Sequence, residues 1–173
     1  SSPTISEKAI RFLTQNQHQP FFLFLHYFDP HFDYFEHDPY FFFPTYTGKI
    51  KNGQPYNALT ALVPKMSEDD LRFVRALYDS EIRFADENIH LVLEHLKKLD
   101  LYENTLIIFV ADHGEEFSER GDFYIGHITH SYQQLIHVPL FIKLPYQSDP
   151  RLVEQPFSLI DLAPTIADYA KLS

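Results

Sequence analysis

The residues best suited to chemistry lie in the stretch 105–121, TLIIFVADHGEEFSERG. An apolar run at 106–111 turns abruptly polar at Asp112, His113 and Gly114. A short apolar run rich in β-branched residues is typical of a strand buried on both faces, as in parallel sheets. In open α/β sheets, ligands bind just beyond the carboxyl ends of the strands. A carboxylate and an imidazole at that position, followed by a glycine that frees the backbone, predict a site.

Further histidines follow other predicted elements. A second apolar run, at 21–27, ends beside His26 and predicts another buried strand. The loops that follow parallel strands meet at one edge of the sheet, so their polar side chains are expected to converge. A carboxylate with imidazoles suits a divalent cation of borderline hardness, and additional histidines can bind an anion and protonate a leaving group near neutral pH. The expected group is His26, His31, Asp112, His113, His127 and His130.

Other interpretations of these residues stay open. The chain has ten histidines, and a lone histidine is most often a surface residue. Asp112 could have no role beyond capping a turn. There is no HExxH motif, EF-hand loop or P-loop, so spacing alone does not fix a metal site. Two sets of side chains are expected to be solvated: the histidines His18, His37, His90 and His95, and the acidic residues Glu81, Asp86, Glu87, Glu115, Glu116 and Glu119, with Arg120 as an ion-pair partner.

Helices and strands are predicted to alternate. A first helix spans 6–17, with Thr4 or Ser6 as its cap, and a long helix begins at the capping sequence Ser67-Glu68-Asp69-Asp70 and runs to Leu99. Right-handed crossovers would lay the strands parallel, so an α/β fold is expected, with a mostly parallel or mixed central sheet flanked by helices. The remaining predicted elements are strands at 21–27, 106–111, 138–144 and 157–160, a short helix at 131–136, and a last helix capped by Asp161.

The segment 32–66 is long, irregular and rich in proline and aromatic residues. Loops of this length inside a domain are usually functional or mobile. The aromatic side chains favour a loop folded onto the core, and an apolar wall beside a substrate is the alternative.

Composition narrows the class of protein. A chain of 173 residues is long enough for one domain with a core, and a net charge of −10 argues against nucleic acid as a partner. The absence of cysteine excludes disulfides and thiolate zinc sites, and no apolar run reaches the ~18 residues of a membrane span. An anionic substrate remains compatible with this charge, because a bound metal can reverse the local field.

Four segments, taken in order, resemble the later part of the sulfatase family, which belongs to the alkaline-phosphatase-like superfamily. The segments are PFFLFLHYFDPHFDY, YDSEIRFADENIHLVLEHLKKLDLYENTLIIFVADHGEEFSERG, GHITHSYQQLIHVPLFIKLP and SLIDLAPTIADYA. The resemblance covers nearly the whole chain and is weakest at 35–64. It implies a large α/β sandwich with a mixed central sheet. Residues 1–173 would then be a single partial domain, the C-terminal part of the catalytic domain, with 32–66 as a loop within it.

The resemblance also implies roles for particular residues. The family's site holds a divalent cation, commonly calcium, and the later pair of its ligands matches Asp112 and His113. The histidine that contacts the sulfate or protonates the leaving oxygen best matches His31, and a later residue that holds a sulfate oxygen matches His127. Two further histidines are weaker candidates for substrate contact: His26, the less favoured equivalent of His31, and His130.

The chain lacks two features of the family pattern, and their absence limits its chemistry. The family's nucleophile is a cysteine oxidised to formylglycine, or a serine so modified, in a Cys/Ser-x-Pro/Ala-x-Arg motif, and neither version occurs here. The family's early Asp-Asp ligands lie in the same region, and Asp69-Asp70 begins a helix with no strand before it. The nucleophile and the other ligands are therefore expected in a missing N-terminal part of the same protein. Alone, this chain is expected to be inactive.

Three functional hypotheses follow. The first is hydrolysis of a small-molecule or glycan sulfate ester by the full-length parent. The segments DHGEEFSERG and HVPLFIK favour this hypothesis. The second is a phosphodiesterase, phosphonate hydrolase or phosphoethanolamine-type transferase of the same superfamily, with a threonine or serine nucleophile and zinc or manganese. The third is a non-catalytic binding module that keeps the fold. The family alone suggests an extracytoplasmic location, whether periplasmic, secreted or lysosomal.

Overall fold

The computed structural model describes residues 1–121 and 124–172. The helices are α1 (Ser2–Asn16), α2 (Tyr56–Thr60), α3 (Glu68–Lys98), α4 (Gln133–Ile136) and α5 (Leu162–Tyr169). The strands are β1 (Ile107–Val110), β2 (Glu116–Phe117), β3 (Ile125–Gly126) and β4 (Leu140–Lys143), and two 3₁₀ turns lie at Val63–Lys65 and Leu159–Asp161. Among the described helices, none is both long enough and apolar enough to cross a membrane.

The long helix α3 is the element around which the chain packs. Its predicted capping box is confirmed, since the Ser67 side chain accepts from the Asp70 backbone N–H and the Asp70 carboxylate accepts from the Ser67 backbone N–H. Its first half buries Phe73, Val74 and Leu77 in a core shared with the 32–66 loop. Its second half packs against α1 in a separate cluster. One helix thereby joins the two hydrophobic clusters.

The first helix begins earlier than predicted and has a different cap. The expected caps, Thr4 and Ser6, both lie inside α1. Instead, Asp29 accepts hydrogen bonds from the Ser2 backbone N–H at 3.1 Å and from the Ser2 hydroxyl at 2.7 Å. A carboxylate at the positive end of a helix is favourable. The contact fixes the Asp29-Pro30-His31 turn against α1, and the pattern within α1 could not have shown it.

The predicted parallel arrangement is wrong for the strands at 106–111 and 138–144. β1 and β4 pair antiparallel, with Ile107 opposite Lys143 and Val110 opposite Leu140. Among the described residues of the link between them, the four-residue α4 is the only helix, whereas a parallel crossover usually carries a longer one. The expectation that β1 is buried on both faces is also wrong, because the Phe109 side chain points to an open face.

Two other predicted strands are not strands in the structure. Residues 21–27 are extended, with side chains that alternate between partial burial and exposure, but no described strand pairs with them. Phe21, Leu23 and Leu25 pack on the α1–α3 cluster. The residues predicted as a strand at 157–160 lead instead into the 3₁₀ turn Leu159–Asp161, after which α5 begins with Asp161 at its N-cap position.

The 32–66 loop folds onto α3. It contributes Tyr34, Ile50, Leu59 and Val63 to the buried core. Its aromatic side chains stack on the helix, as Tyr46 does on Phe73 with ring centroids 3.9 Å apart. The buried core also includes Tyr34, near the start of the loop, so this part of the loop is held against α3 as well.

The expectation that Glu81 and His37 are solvated is wrong. Glu81 is 2% exposed and accepts from the Phe35 backbone N–H and from the His37 ring. Burial raises the pKa of Glu81, and these two donors oppose that rise. Glu81 is therefore a buried anchor for the loop.

Candidate functional site

Three imidazole rings meet beyond the carboxyl end of β1. The His113 ring stacks on the His127 ring with centroids 4.0 Å apart, and the His31 ring meets His127 edge to face at 5.2 Å. The Phe32 ring also stacks on His127, at 4.8 Å. The structure thus brings together three histidines that the sequence expected to converge, from three separate stretches of chain. Their roles in binding or catalysis stay predictions.

Asp112 and His113 form the solvent-facing end of this cluster. The Asp112 side chain is 77% exposed, and its Oδ1 lies 3.8 Å from His113 Nε2. His113 Nδ1 lies 2.8 Å from the Gly114 carbonyl oxygen, which can only accept, so Nδ1 carries a proton and Nε2 is the ring nitrogen left to face a cation. Two ligands that share one cation at ~2.0–2.6 Å lie about 3–4 Å apart. This pair therefore offers one carboxylate and one imidazole donor at a suitable separation.

His127 is held from the buried side by Glu115. The distance from His127 Nδ1 to Glu115 Oε1 is 3.0 Å, and the Tyr34 hydroxyl donates to Glu115 Oε2 at 2.6 Å. The Glu115 side chain is only 3% exposed. Burial and the Glu115 charge raise the pKa of Tyr34 far above its ordinary value, and the same two causes raise that of Tyr78 to about 12. The phenols around Glu115 therefore stay neutral, and Tyr34 stays a hydrogen-bond donor.

The two weaker candidates lie at the edges of the cluster. His130 Nδ1 is 3.5 Å from Oε2 of the fully buried Glu116, and its ring stacks on Tyr132. His26 reaches the cluster only through Phe28, which it meets at 5.6 Å and which stacks on His31 at 4.4 Å. Among the described residues, neither histidine is found in contact with Asp112.

Close packing explains the glycine that follows His113. A Cβ on Gly114 would lie 2.0 Å from the Gln134 carbonyl oxygen, and the Gly114 N–H donates to the Leu135 carbonyl at 2.8 Å. Glycine is needed here because the backbone approaches α4, rather than for the backbone freedom expected from the sequence. Gly126, before His127, has φ +133°, which only glycine adopts readily.

The metal-binding capacity of these residues is partial. Within 1–121 and 124–172, no three His, Asp or Glu side chains are grouped closely enough to hold a metal ion. Asp112 and His113 fit a divalent cation by donor type, as two ligands of a larger set. A complete set of four or more ligands would need donors from elsewhere.

The expectation that Glu115 and Glu116 are solvated is wrong, because both are buried beneath the histidines. Glu119 is partly exposed and pairs with Arg75, 3.0 Å away, while the Arg120 guanidinium lies over the Tyr132 ring. Sequence reasoning missed Glu115 and Tyr34 as members of the site. They are 81 residues apart, and no local pattern signals their contact.

Comparison with known proteins places this arrangement in a family. A family model described as Sulfatase matches residues 1–172. The chain is 31% identical to arylsulfatase K of Mus musculus over 63% of this chain and 19% of that protein. It is 32% identical to choline-sulfatase of Rhizobium meliloti over 62% of this chain and 20% of that protein. The chain thus spans about a fifth of the length of these relatives.

A solved structure supports the same grouping. The phosphonate monoester hydrolase of Silicibacter pomeroyi superposes with a TM-score of 0.57 and 34% identity, over 62% of this chain and 21% of that one. The predicted fold class is thereby confirmed: the chain is a partial α/β domain of the alkaline-phosphatase-like superfamily, whose members use divalent metals. Within that superfamily, the chain belongs to the sulfatase family.

Proposed function

We propose that this chain forms part of the active site of a sulfuric ester hydrolase, whose full-length form hydrolyses a small-molecule or glycan sulfate ester. The observation that carries the proposal is the meeting of His31, His113 and His127 beside Asp112 at the end of β1. Membership of the sulfatase family supports this reaction class over others that use carboxylates and histidines.

Each residue has a proposed role. Asp112 and His113 would hold the divalent cation, with calcium expected, and the bound cation would offset negative charge on the sulfuryl oxygens. His127, with both ring nitrogens protonated, would donate a hydrogen bond from Nε2 to a sulfate oxygen, and His31 would protonate the leaving oxygen. Weaker contacts to the substrate are proposed for His26 and His130.

The other half of the machinery is proposed to lie outside this chain. A formylglycine nucleophile and the remaining metal ligands would come from an N-terminal part of the same protein, which would make this chain the C-terminal part of the catalytic domain. Without a nucleophile no covalent intermediate forms, so the 173-residue chain alone should not turn over an aryl sulfate. An extracytoplasmic location is proposed from the family alone.

A second candidate is phosphonate or phosphodiester hydrolysis. The similarity to the phosphonate monoester hydrolase structure favours it, as does the multifunctional alkaline phosphatase superfamily protein PehA of Trinickia caryophylli, 26% identical over 97% of this chain and 37% of that protein. In that case the nucleophile would be an unmodified threonine or serine, and the metal manganese or zinc. The two candidates differ in the substrate that the same histidines would bind.

The test is hydrolysis by the full-length parent of 4-nitrophenyl sulfate and of 4-nitrophenyl phenylphosphonate, side by side. The proposal expects turnover of the sulfate that falls at least about 100-fold in Asp112→Ala and in His127→Ala. Asp86→Ala, on the exposed face of α3, is the matched control and should keep full activity. Turnover of the phosphonate alone would establish the second candidate instead. Unchanged turnover in Asp112→Ala would refute the site.

A further inference from the structure

We propose that Glu115 is a positioning residue: it keeps a proton on His127 Nδ1, both in the neutral ring and in the protonated ring that donates from Nε2 to the substrate. The inference concerns the site of the proposed function and, for its catalytic meaning, rests on that function. The tautomer itself is a property of the folded chain and can be measured without any turnover.

The hydrogen-bond geometry carries the proposal. His127 Nδ1 lies 3.0 Å from Glu115 Oε1 and 3.3 Å from Oε2, so the ring nitrogen faces both oxygens of one carboxylate. An ionised carboxylate has no proton to donate, so the proton in this contact must be on Nδ1. Both side chains are well shielded from water, at 14% and 3% exposure. Because water has little access to this contact, it competes weakly with the Glu115 carboxylate as an acceptor for the Nδ1 proton.

Glu115 is itself held in place from the other side. The Tyr34 hydroxyl donates to its Oε2 at 2.6 Å, and Tyr34 is 2% exposed within the core formed by α3 and the loop. The Tyr34 ring is packed edge to face against Tyr78 at 5.6 Å. Because the Tyr34 hydroxyl already fixes the Glu115 carboxylate, Glu115 loses little further conformational entropy when it orients the His127 ring.

The rings around His127 fix its plane. Phe32 and His113 both stack on it, with interplanar angles of 10° and 27°. With the plane fixed by stacking and Nδ1 bound to Glu115, Nε2 is the remaining polar atom of the ring. Second-shell carboxylates set the tautomer and orientation of functional histidines by the same logic. Glu115 therefore acts through His127 and is not proposed to touch the substrate.

The direct test is a long-range ¹H–¹⁵N correlation spectrum of the histidine rings in the 173-residue chain, at a pH where His127 is neutral. The ¹⁵N shifts of the two ring nitrogens show which one carries the proton. The expected result is the Nδ1–H tautomer for His127, whereas a free histidine side chain favours Nε2–H. A spectrum of the unmodified chain that shows Nε2–H at His127 overturns the inference.

Three variants identify the cause. Glu115→Leu removes the acceptor and should shift His127 to the Nε2–H tautomer or to a mixture. Tyr34→Phe keeps the carboxylate and should keep Nδ1–H, and Glu87→Leu, an exposed glutamate of α3, should change nothing. An unchanged tautomer in Glu115→Leu contradicts the assignment to the carboxylate. If Glu115→Leu does not fold, the spectrum of the unmodified chain still decides the tautomer.

Activity assays of the full-length parent, combined with the measured tautomer, distinguish a failure of this inference from a failure of the proposed function. In an active parent, Glu115→Leu should lower kcat about 10- to 100-fold, as loss of an orienting carboxylate does elsewhere. A parent that hydrolyses no sulfate ester refutes the proposed function while leaving the measured tautomer intact. An Nε2–H tautomer in a parent that hydrolyses sulfate esters refutes only the role of Glu115.

Discussion

His37 Nε2 lies 2.8 Å from Glu81 Oε2, in a pair that joins the 32–66 loop to the middle of α3. The His37 ring is also stacked flat on Phe84, with centroids 3.9 Å apart, and its backbone N–H donates to Ser80. Glu81 accepts a further bond from the Phe35 N–H. The start of the loop is therefore fixed only a few residues from Phe32 and Tyr34, which line the candidate site.

Removal of the Glu81 carboxylate should destabilise the fold. Glu81→Ala leaves the Phe35 N–H and the His37 ring without their buried acceptor, which should lower the free energy of unfolding by about 2–4 kcal/mol. Urea denaturation followed by circular dichroism measures the change. The matched control, Glu87→Ala on the exposed face of the same helix, should stay within about 0.5 kcal/mol. Equal stabilities for the two variants would show that the pair is not an anchor.

A methyl group at Gly114 should disturb the site through the backbone. Gly114→Ala places a Cβ 2.0 Å from the Gln134 carbonyl oxygen, so α4 or the 112–114 turn must shift. Gly121→Ala is a useful comparison, because its φ of 69° is strained but no atom lies within 4 Å of the new Cβ. The comparison variant should lose about 1–2 kcal/mol of stability. Chemical-shift changes at His113 in Gly114→Ala, and their absence in Gly121→Ala, are expected by NMR.

Stability should fall at alkaline pH because of buried phenols. Burial, with the charge of Glu115, raises the pKa of Tyr34 above its ordinary value of 10 and that of Tyr78 to about 12. A raised pKa means that the folded state binds the proton more tightly, so the stabilisation is complete below pH 10. It is then lost as pH rises further, at about 1.4 kcal/mol per pH unit for each such tyrosine.

Comparison of two tyrosine variants isolates this effect. Urea titrations between pH 8 and 11.5 should show a shallower alkaline decline for Tyr34→Phe than for the unmodified chain. Tyr146→Phe, at an exposed position, should decline as steeply as the unmodified chain. Parallel declines for all three proteins would indicate that Tyr34 ionises as freely in the folded state as in the unfolded one.

Elements governed by local patterns were predictable from the sequence. The apolar period and the Ser67-Asp70 capping box identify α3, and apolar runs locate β1 and β4. These patterns lie within each segment, so the element can be predicted without knowing which other segments pack against it. The segment at 21–27 has the pattern of a strand as well, but a strand also needs a hydrogen-bonding partner, and none of the described strands supplies one.

The polar contacts were not predictable in the same way. The sequence included His31, His113 and His127 in a larger group expected to converge, although the parallel strands on which that expectation rested do not form. It assigned Glu81 and Glu115 to the solvent, and both side chains are buried. The partners of these carboxylates are 44 and 81 residues away, in a loop that has no periodic pattern. A glutamate on a helix or after a turn looks solvated until the segment that covers it is placed.

The contact between Asp29 and α1 should contribute to stability and to the placement of His31. Asp29→Ala removes the acceptor of two hydrogen bonds from Ser2 at the positive end of the helix. A loss of about 1–3 kcal/mol in the free energy of unfolding is expected, together with altered NMR signals of the His31 ring. Asp86→Ala, an exposed aspartate of α3, should show neither effect. Unaltered His31 signals in Asp29→Ala would mean that this contact does not position the histidine.

Paramagnetic Mn²⁺ tests most directly the proposal that Asp112 and His113 are metal ligands beside the histidine cluster. Small additions of Mn²⁺ to the ¹⁵N-labelled chain broaden the NMR signals of residues near a bound ion, even when binding is weak. The signals of Asp112, His113 and His127 should broaden first. Asp112→Ala should abolish this selectivity while the rest of the spectrum is preserved. Broadening centred elsewhere, or identical broadening in Asp112→Ala, would contradict the assignment.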